Sequence, residues 1–138
     1  MVHLEISVPE QTLRLLADNG EIKNYAISTA KNGIGSDEGS YKTPLGHFVI
    51  SEMHGHNEPI YTIFKGRKPV DMWDPSEPSD DDLVTSRIIW LDGLDNDNAN
   101  TKQRYIYIHG TNHEDKLGSP HSCGCIRMRN TEVIELFK

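Results

Sequence analysis

The sequence predicts a mainly β fold with one short helix at its C-terminal end, and three observations carry that prediction. Short runs alternate apolar and polar residues, turn-forming residues separate those runs, and only the last stretch, 130–138, spaces its apolar positions as a helix does. At 138 residues, 36% hydrophobic and 25% charged, the chain is long enough to bury one core. No internal repeat, low-complexity tract or linker divides it, so a single domain over 1–138 is expected.

The elements follow in order. HLEISV, at 3–8, places Leu4, Ile6 and Val8 on one face of a strand that Pro9 stops. Thr12 to Leu16 and Ile22 to Ser28 form two more strands, joined through Asn19-Gly20, whose backbone suits a tight hairpin turn. Lys31 to Gly46 is a Gly/Ser/Thr-rich loop, and His47 to Ser51 resumes strand character. Pro59 to Phe64 reads as a further strand. The segment 71–82, DMWDPSEPSDDD, reads as an exposed acidic insertion and a solvated surface loop. Ser86 to Leu91 and Arg104 to Ile108 have the strongest strand patterns in the chain. The loop between them, DGLDNDNANTKQ, is rich in Asp and Asn like a calcium-binding string, but lacks the sixth-position glycine and closing glutamate of an EF-hand. Asn130 or Thr131 can cap the final helix, with Val133, Ile134 and Phe137 on its buried side.

Composition removes several function classes. With 21 acidic against 14 basic residues the net charge is −7, which disfavours nucleic-acid and polybasic membrane-surface partners, because both depend on clustered cations. No apolar run is long enough to span a bilayer, and the first twenty residues lack the form of a secretory signal. The expectation is therefore a cytoplasmic protein as the chain stands, or a periplasmic or cell-wall one if a signal has been removed. The two cysteines, Cys123 and Cys125, are one residue apart and read as thiols, since bridging them would strain the disulfide.

The chemistry concentrates in YIYIHGTNHEDKLGSPHSCGCIRM, at 105–128. A hydrophobic strand runs into His109 and Gly110, and Cys125 follows His109 by sixteen residues. A thiol needs a nearby imidazole to lower its pKa and to carry a proton to the leaving group, so the two form a plausible nucleophile and base. On this reading Cys125 would alkylate below pH 7. Gly124 allows successive backbone N–H groups to face a developing oxyanion. Arg127 offers a planar fork for a substrate carboxylate, or a partner for a structural ion pair.

The pattern HGT…S-x-G-C-I-R-M resembles the signature of the L,D-transpeptidase (YkuD-like) catalytic domain. Upstream, KNGIGSDEGSYKTPLGHFVI resembles that family's approach to its active site. The resemblance spans about 31–136. It implies a β-sandwich-like fold with a short helix, Cys125 as nucleophile and His109 as base and acid. It further implies that the Gly110 backbone orients the imidazole and that Gly124 and Cys125 donate oxyanion N–H groups within the Ser122-x-Gly124-Cys125 turn. The implied reaction cleaves the bond between the L-centre of the third residue, often diaminopimelate, and the terminal D-Ala of a peptidoglycan tetrapeptide stem. An amine acceptor makes this an L,D-transpeptidase; water makes it an L,D-carboxypeptidase, suited to muropeptide recycling. The resemblance implies no metal or organic cofactor, and acylation by β-lactams of the carbapenem class. Cys123 departs from many relatives, which carry His, Lys or Ser there, and puts a second thiol beside the nucleophile.

Two other readings compete. His109, His113, His121, Cys123 and Cys125 lie close enough in sequence to suggest zinc, but Cys-Gly-Cys is not the usual knuckle spacing. A non-catalytic module that binds muropeptides would keep the Cys125 and His109 geometry without turnover. His54, His56, His113 and His121 read as surface or loop residues, and Trp73 and Trp90 as packing or pocket-rim residues.

Overall fold

The computed structural model describes residues 3–37, 39–77, 79 and 81–137. Its opening alternation forms β1 (His3–Ser7), antiparallel to β2 (Thr12–Leu16), which pairs with β3 (Ile22–Ser28). There follow β4 (Phe48–His54), β5 (Thr62–Lys65), β6 (Lys68–Met72), β7 (Val84–Gly93), β8 (Tyr107–Gly110), β9 (Ile126–Met128) and α1 (Asn130–Phe137). Among the described residues the strands join in the order β1-β2-β3-β9-β8-β7-β5-β6, with β4 on β7. No helix among the described residues is long and apolar enough to cross a membrane.

One pairing decides where the site lies. β8 and β9 run parallel, with Ile108 beside Ile126, His109 beside Arg127 and Gly110 beside Met128. Parallel neighbours need a long crossover, and residues 111–125 supply it. Alternation then sorts the side chains. Ile89, Leu91, Ile108, Ile126 and Met128 face the main core together with Leu13, Tyr25 and Ile27 from β2 and β3 of the same sheet, and Val133 of α1 packs into that cluster. Ile88, Trp90 and Tyr107 point to the opposite face, where Phe64 and the half-buried Cys125 join them.

The structure moves several boundaries. Pro59 to Tyr61 is a turn, with Tyr61 at φ +69°, and strand pairing starts at Thr62. Asp71 and Met72 close the β5–β6 hairpin rather than belonging to a loop, because their backbone pairs with Thr62 and Ile63. β8 starts at Tyr107, since residues 101–105 fold into consecutive turns. β9 escaped the sequence reading: it has three residues, and no alternation is legible over so short a span. In α1 the apolar contacts with the core come from Val133, Leu136 and Phe137 rather than Ile134, an i, i+3, i+4 set. The helix is not capped by Asn130 or Thr131 side chains: the Arg129 carbonyl takes the first N–H groups, from Glu132 and Val133. The Asp/Asn-rich loop spends its polar groups on backbone. The Asp95 carboxylate accepts the His47 N–H at 2.7 Å, and the buried Asn98 amide donates to the Leu45 and His47 carbonyls.

Candidate active site

Cys125 immediately precedes β9, and Tyr107, its neighbour across the β8–β9 pair, donates its backbone N–H to the Cys125 Sγ at 3.3 Å. Sγ itself donates to the Tyr105 carbonyl at 3.3 Å. His109 lies two residues further along β8, so alternation puts the thiol, the Tyr107 ring and the imidazole on one face. No hydrogen bond joins the Cys125 thiol to His109 in this structure. The imidazole is 2% exposed. Its Nδ1 is hydrogen-bonded to the Gly110 carbonyl, which can only accept, so Nδ1 carries the proton and Nε2 is the basic nitrogen.

Beneath His109, Gly110 touches a buried polar hub. The Asn130 Oδ1 accepts the hydroxyls of Thr85 and Ser86, and its Nδ2 donates to the Thr111 carbonyl at 2.8 Å and to Glu114 Oε2 at 3.0 Å. Three segments, β7, the crossover and α1, are tied at one side chain, against which Gly110 of β8 packs. Asn130, one of the two cap candidates in the sequence, is thus a positioning residue instead. A fully buried Asn with this many partners is a product of tertiary packing, and nothing local marks it.

Ser122, Gly124 and Cys125 make a closed turn. The Ser122 hydroxyl donates to the Cys125 carbonyl at 2.6 Å and accepts the Gly124 N–H at 3.2 Å. Gly124 has φ +125°, a conformation L side chains rarely adopt. Its N–H therefore faces Ser122 in this structure, and an oxyanion role for it requires that bond to open. The upstream motif reaches the same turn: Thr43 donates its hydroxyl to the Gly124 carbonyl at 2.9 Å and accepts the Ala30 N–H at 2.8 Å.

The electrostatics differ from expectation. Burial pushes the Cys125 thiol up to about 11, against a smaller lowering by the Tyr107 N–H. The lowered thiol pKa expected from an adjacent imidazole is absent: the sulfur has no hydrogen bond to His109, and burial dominates. Burial also drives His109 below its ordinary value, partly offset by the Gly110 bond, so the imidazole is neutral at neutral pH. The resting pair is a neutral thiol and a neutral base.

Arg127 is not the open carboxylate fork the sequence suggested. Its side chain is 3% exposed, with Nη2 on Asp82 Oδ1 at 2.9 Å and Nη1 donating to His121 Nδ1 at 2.9 Å. A substrate carboxylate would meet Asp82 in its place. Asp82, from the acidic segment, is thereby more than a solvated charge. His121 and His113 also have partners: their rings meet edge to face at 5.9 Å, and His113 Nε2 bonds the Ser79 carbonyl. Among the described residues no group of three His, Cys, Asp or Glu side chains is arranged to hold a metal ion.

On the other side of Cys125 lies an aromatic surface. Trp90 stacks on Tyr105 at 5.8 Å and meets Tyr107 edge to face at 5.6 Å. Arg67 caps it from the β5–β6 turn. In the sequence the signal for this turn is Gly66, just after the strand-like run that ends at Phe64.

The chain belongs to the L,D-transpeptidase catalytic domain family: the family model YkuD matches residues 1–138. Two Bacillus relatives share the name Putative L,D-transpeptidase. YqjB of Bacillus subtilis (strain 168) is 32% identical over 126 residues, 91% of this chain and 58% of that protein. YkuD of Bacillus licheniformis is 30% identical over 133 residues, 96% of this chain and 56% of that protein. The chain therefore spans little more than half the length of the relatives it matches. Among solved structures, LD transpeptidase LdtMt1 in complex with imipenem matches 99% of this chain and 53% of its own, at TM-score 0.58 and 17% identity, a likeness of fold.

Proposed function

We propose that this chain is a cysteine acyl-transfer enzyme that cleaves the bond between the third-residue L-centre and D-Ala in peptidoglycan tetrapeptide stems. The observation that carries this reading is the placement of Cys125 and His109 on one face of the parallel β8–β9 pair, with Nδ1 anchored on Gly110 and Nε2 left as the base. His109 Nε2 takes the thiol proton as Sγ attacks the carbonyl carbon. The tetrahedral oxyanion collapses, the C–N bond breaks, and the D-Ala amine leaves with the proton from the imidazolium. The acyl group remains on Cys125 as a thioester. An acceptor amine then attacks, gives its proton to His109, and releases the thiol with a new amide.

Because the resting thiol is neutral and not bonded to His109, substrate binding must bring the two together before attack. Carbapenems, whose strained amide acylates thiols, are expected to trap the same sulfur. The likeness in fold to a domain seen with imipenem supports that expectation.

The test is mass spectrometry of the protein with a disaccharide tetrapeptide, with and without an added D-amino acid, beside Cys125→Ala. Acceptor-dependent exchange supports transpeptidation, and tripeptide formation regardless of acceptor supports hydrolysis by the same nucleophile. Binding without turnover, or equal D-Ala release by Cys125→Ala, overturns the reading.

A further inference from the structure

We propose that Arg67 reads a carboxylate of the stem peptide whose carbonyl Cys125 attacks, which makes it the specificity residue of this site. This rests on the acyl-transfer reading above and adds to it the charge the substrate must carry.

Tyr107 connects the two places. Its backbone N–H reaches the Cys125 Sγ at 3.3 Å, and at the far end of the same side chain its hydroxyl accepts from Arg67 Nη1 at 3.1 Å. The Arg67 guanidinium carbon stands 4.6 Å from the Trp90 ring centroid and 5.4 Å from that of Tyr105. Held in this way, the group has a fixed orientation and keeps most of its five N–H donors available.

Its bonding is unlike that of the other arginines. Arg14, Arg127 and Arg129 are paired with carboxylates, and Arg87 and Arg104 donate to backbone carbonyls. The partner of Arg67 is a phenol, and among the described residues no carboxylate lies within ion-pair distance of it. Glu52, on this surface, is bonded to Lys102 and His54, each at 3.1 Å, and its charge reaches Arg67 only from beyond ion-pair distance. A planar, always-charged fork with no carboxylate in ion-pair contact, one tyrosine's length from the nucleophile, fits a carboxylate on the ligand.

The backbone points the same way. Gly66 and Arg67 are the two central residues of the turn between Lys65 and Lys68, at φ +56° and +65°. Gly or Asn occupies the second position of such a turn without strain, whereas a long side chain is there at a penalty. From this position the long side chain reaches Trp90 and Tyr107. In a chain of net charge −7, the sequence Lys65-Gly66-Arg67-Lys68 also concentrates three cations at one hairpin tip. An anionic peptide, repelled by the protein as a whole, is drawn to that tip.

The experiment measures kcat and KM of wild type, Arg67→Gln and Arg67→Lys on three tetrapeptides: the free acid, the third-residue side-chain carboxamide and the C-terminal carboxamide. The expected result is that one amidation raises the wild-type KM roughly 10–100-fold, as loss of a charge-assisted hydrogen bond does. Arg67→Gln should show a similar increase with the free acid and respond less than about twofold to that amidation, at a melting temperature near wild type. Arg67→Lys, which keeps charge but not the fork, should fall between. Equal losses by Arg67→Gln on all three peptides, or no loss, would overturn the proposal while leaving acyl transfer standing. A wild type inert toward all three sinks both.

Discussion

A Cβ added to Gly110 would lie 2.5 Å from the Asn130 Oδ1 and 2.6 Å from the Thr85 carbonyl, so Asn130 and Gly110 are fitted to each other without room for a methyl group. This contact holds the residue whose carbonyl anchors the His109 imidazole. Gly110→Ala should therefore destabilise the fold by about 2–4 kcal/mol, through displaced backbone and broken Asn130 bonds. Asn130→Ala should lose a similar amount, because it strands the Thr85 and Ser86 hydroxyls and the Thr111 carbonyl without partners. Urea unfolding at neutral pH measures both; a loss below about 1 kcal/mol in each would show that the hub does not hold this region.

The Cys125 thiol, at about 11, should be a slow nucleophile in the free protein. In a Cys123→Ser background, which removes the exposed second thiol, iodoacetamide alkylation should rise roughly tenfold per pH unit from 7 to 10. A plateau already reached below pH 8 would contradict the resting geometry. His109→Gln should leave this profile nearly unchanged, since no bond joins the two groups, yet abolish acylation by a carbapenem. The contrast between alkylation and acylation separates resting reactivity from catalysis.

His109 links stability to acid. Burial holds its native pKa below the ordinary value near 6.5, so as pH falls through 6.5 the unfolded chain binds a proton that the native state refuses. Stability from this group is fully present above about pH 7 and declines below 6.5, at about 1.4 kcal/mol per pH unit at most. Urea midpoints at pH 7.5 and 5.5 should differ more in wild type than in His109→Gln. Equal differences would place the acid sensitivity elsewhere.

Asp82 and Arg127 form a pair with one buried partner, the guanidinium side being 3% exposed and the carboxylate side 40%. Asp82→Asn should lower stability by about 1–3 kcal/mol, less than for a fully buried pair because solvent screens the carboxylate. Arg127→Lys, which loses the contacts to both Asp82 and His121, should lower the melting temperature as well. A change confined to KM, with the melting temperature unmoved, would restore Arg127 as a substrate clamp.

The legible part of the site was the part whose chemistry is local in sequence. Cys125, His109 and Gly110 stand in one short segment with a spacing that only a few chemistries need, and the structure places Cys125 and His109 on one face of β8 and β9, with Gly110 next along β8. Thr43 lay within the upstream motif, but its bond to the Gly124 carbonyl was not legible; Arg67 comes from a hairpin turn far away along the chain, and the buried bonds of Asn130 in α1 have no local signal. Asp82 was hidden for a related reason: inside an acidic run each carboxylate looks alike until one of them meets a buried guanidinium.

By itself the sequence determined the mainly β fold, the β1–β3 meander, the C-terminal helix and the resemblance that the family match bears out. Side-chain alternation, turn residues and motif spacing are short-range properties, and a chain displays them without folding. Only the tertiary structure decided the parallel β8–β9 register, the raised thiol, the engaged state of Arg127 and the placing of the Arg67 fork on Tyr107. Those depend on burial and on which distant groups arrive as neighbours, and desolvation and ion pairing exist only once the chain has closed around them.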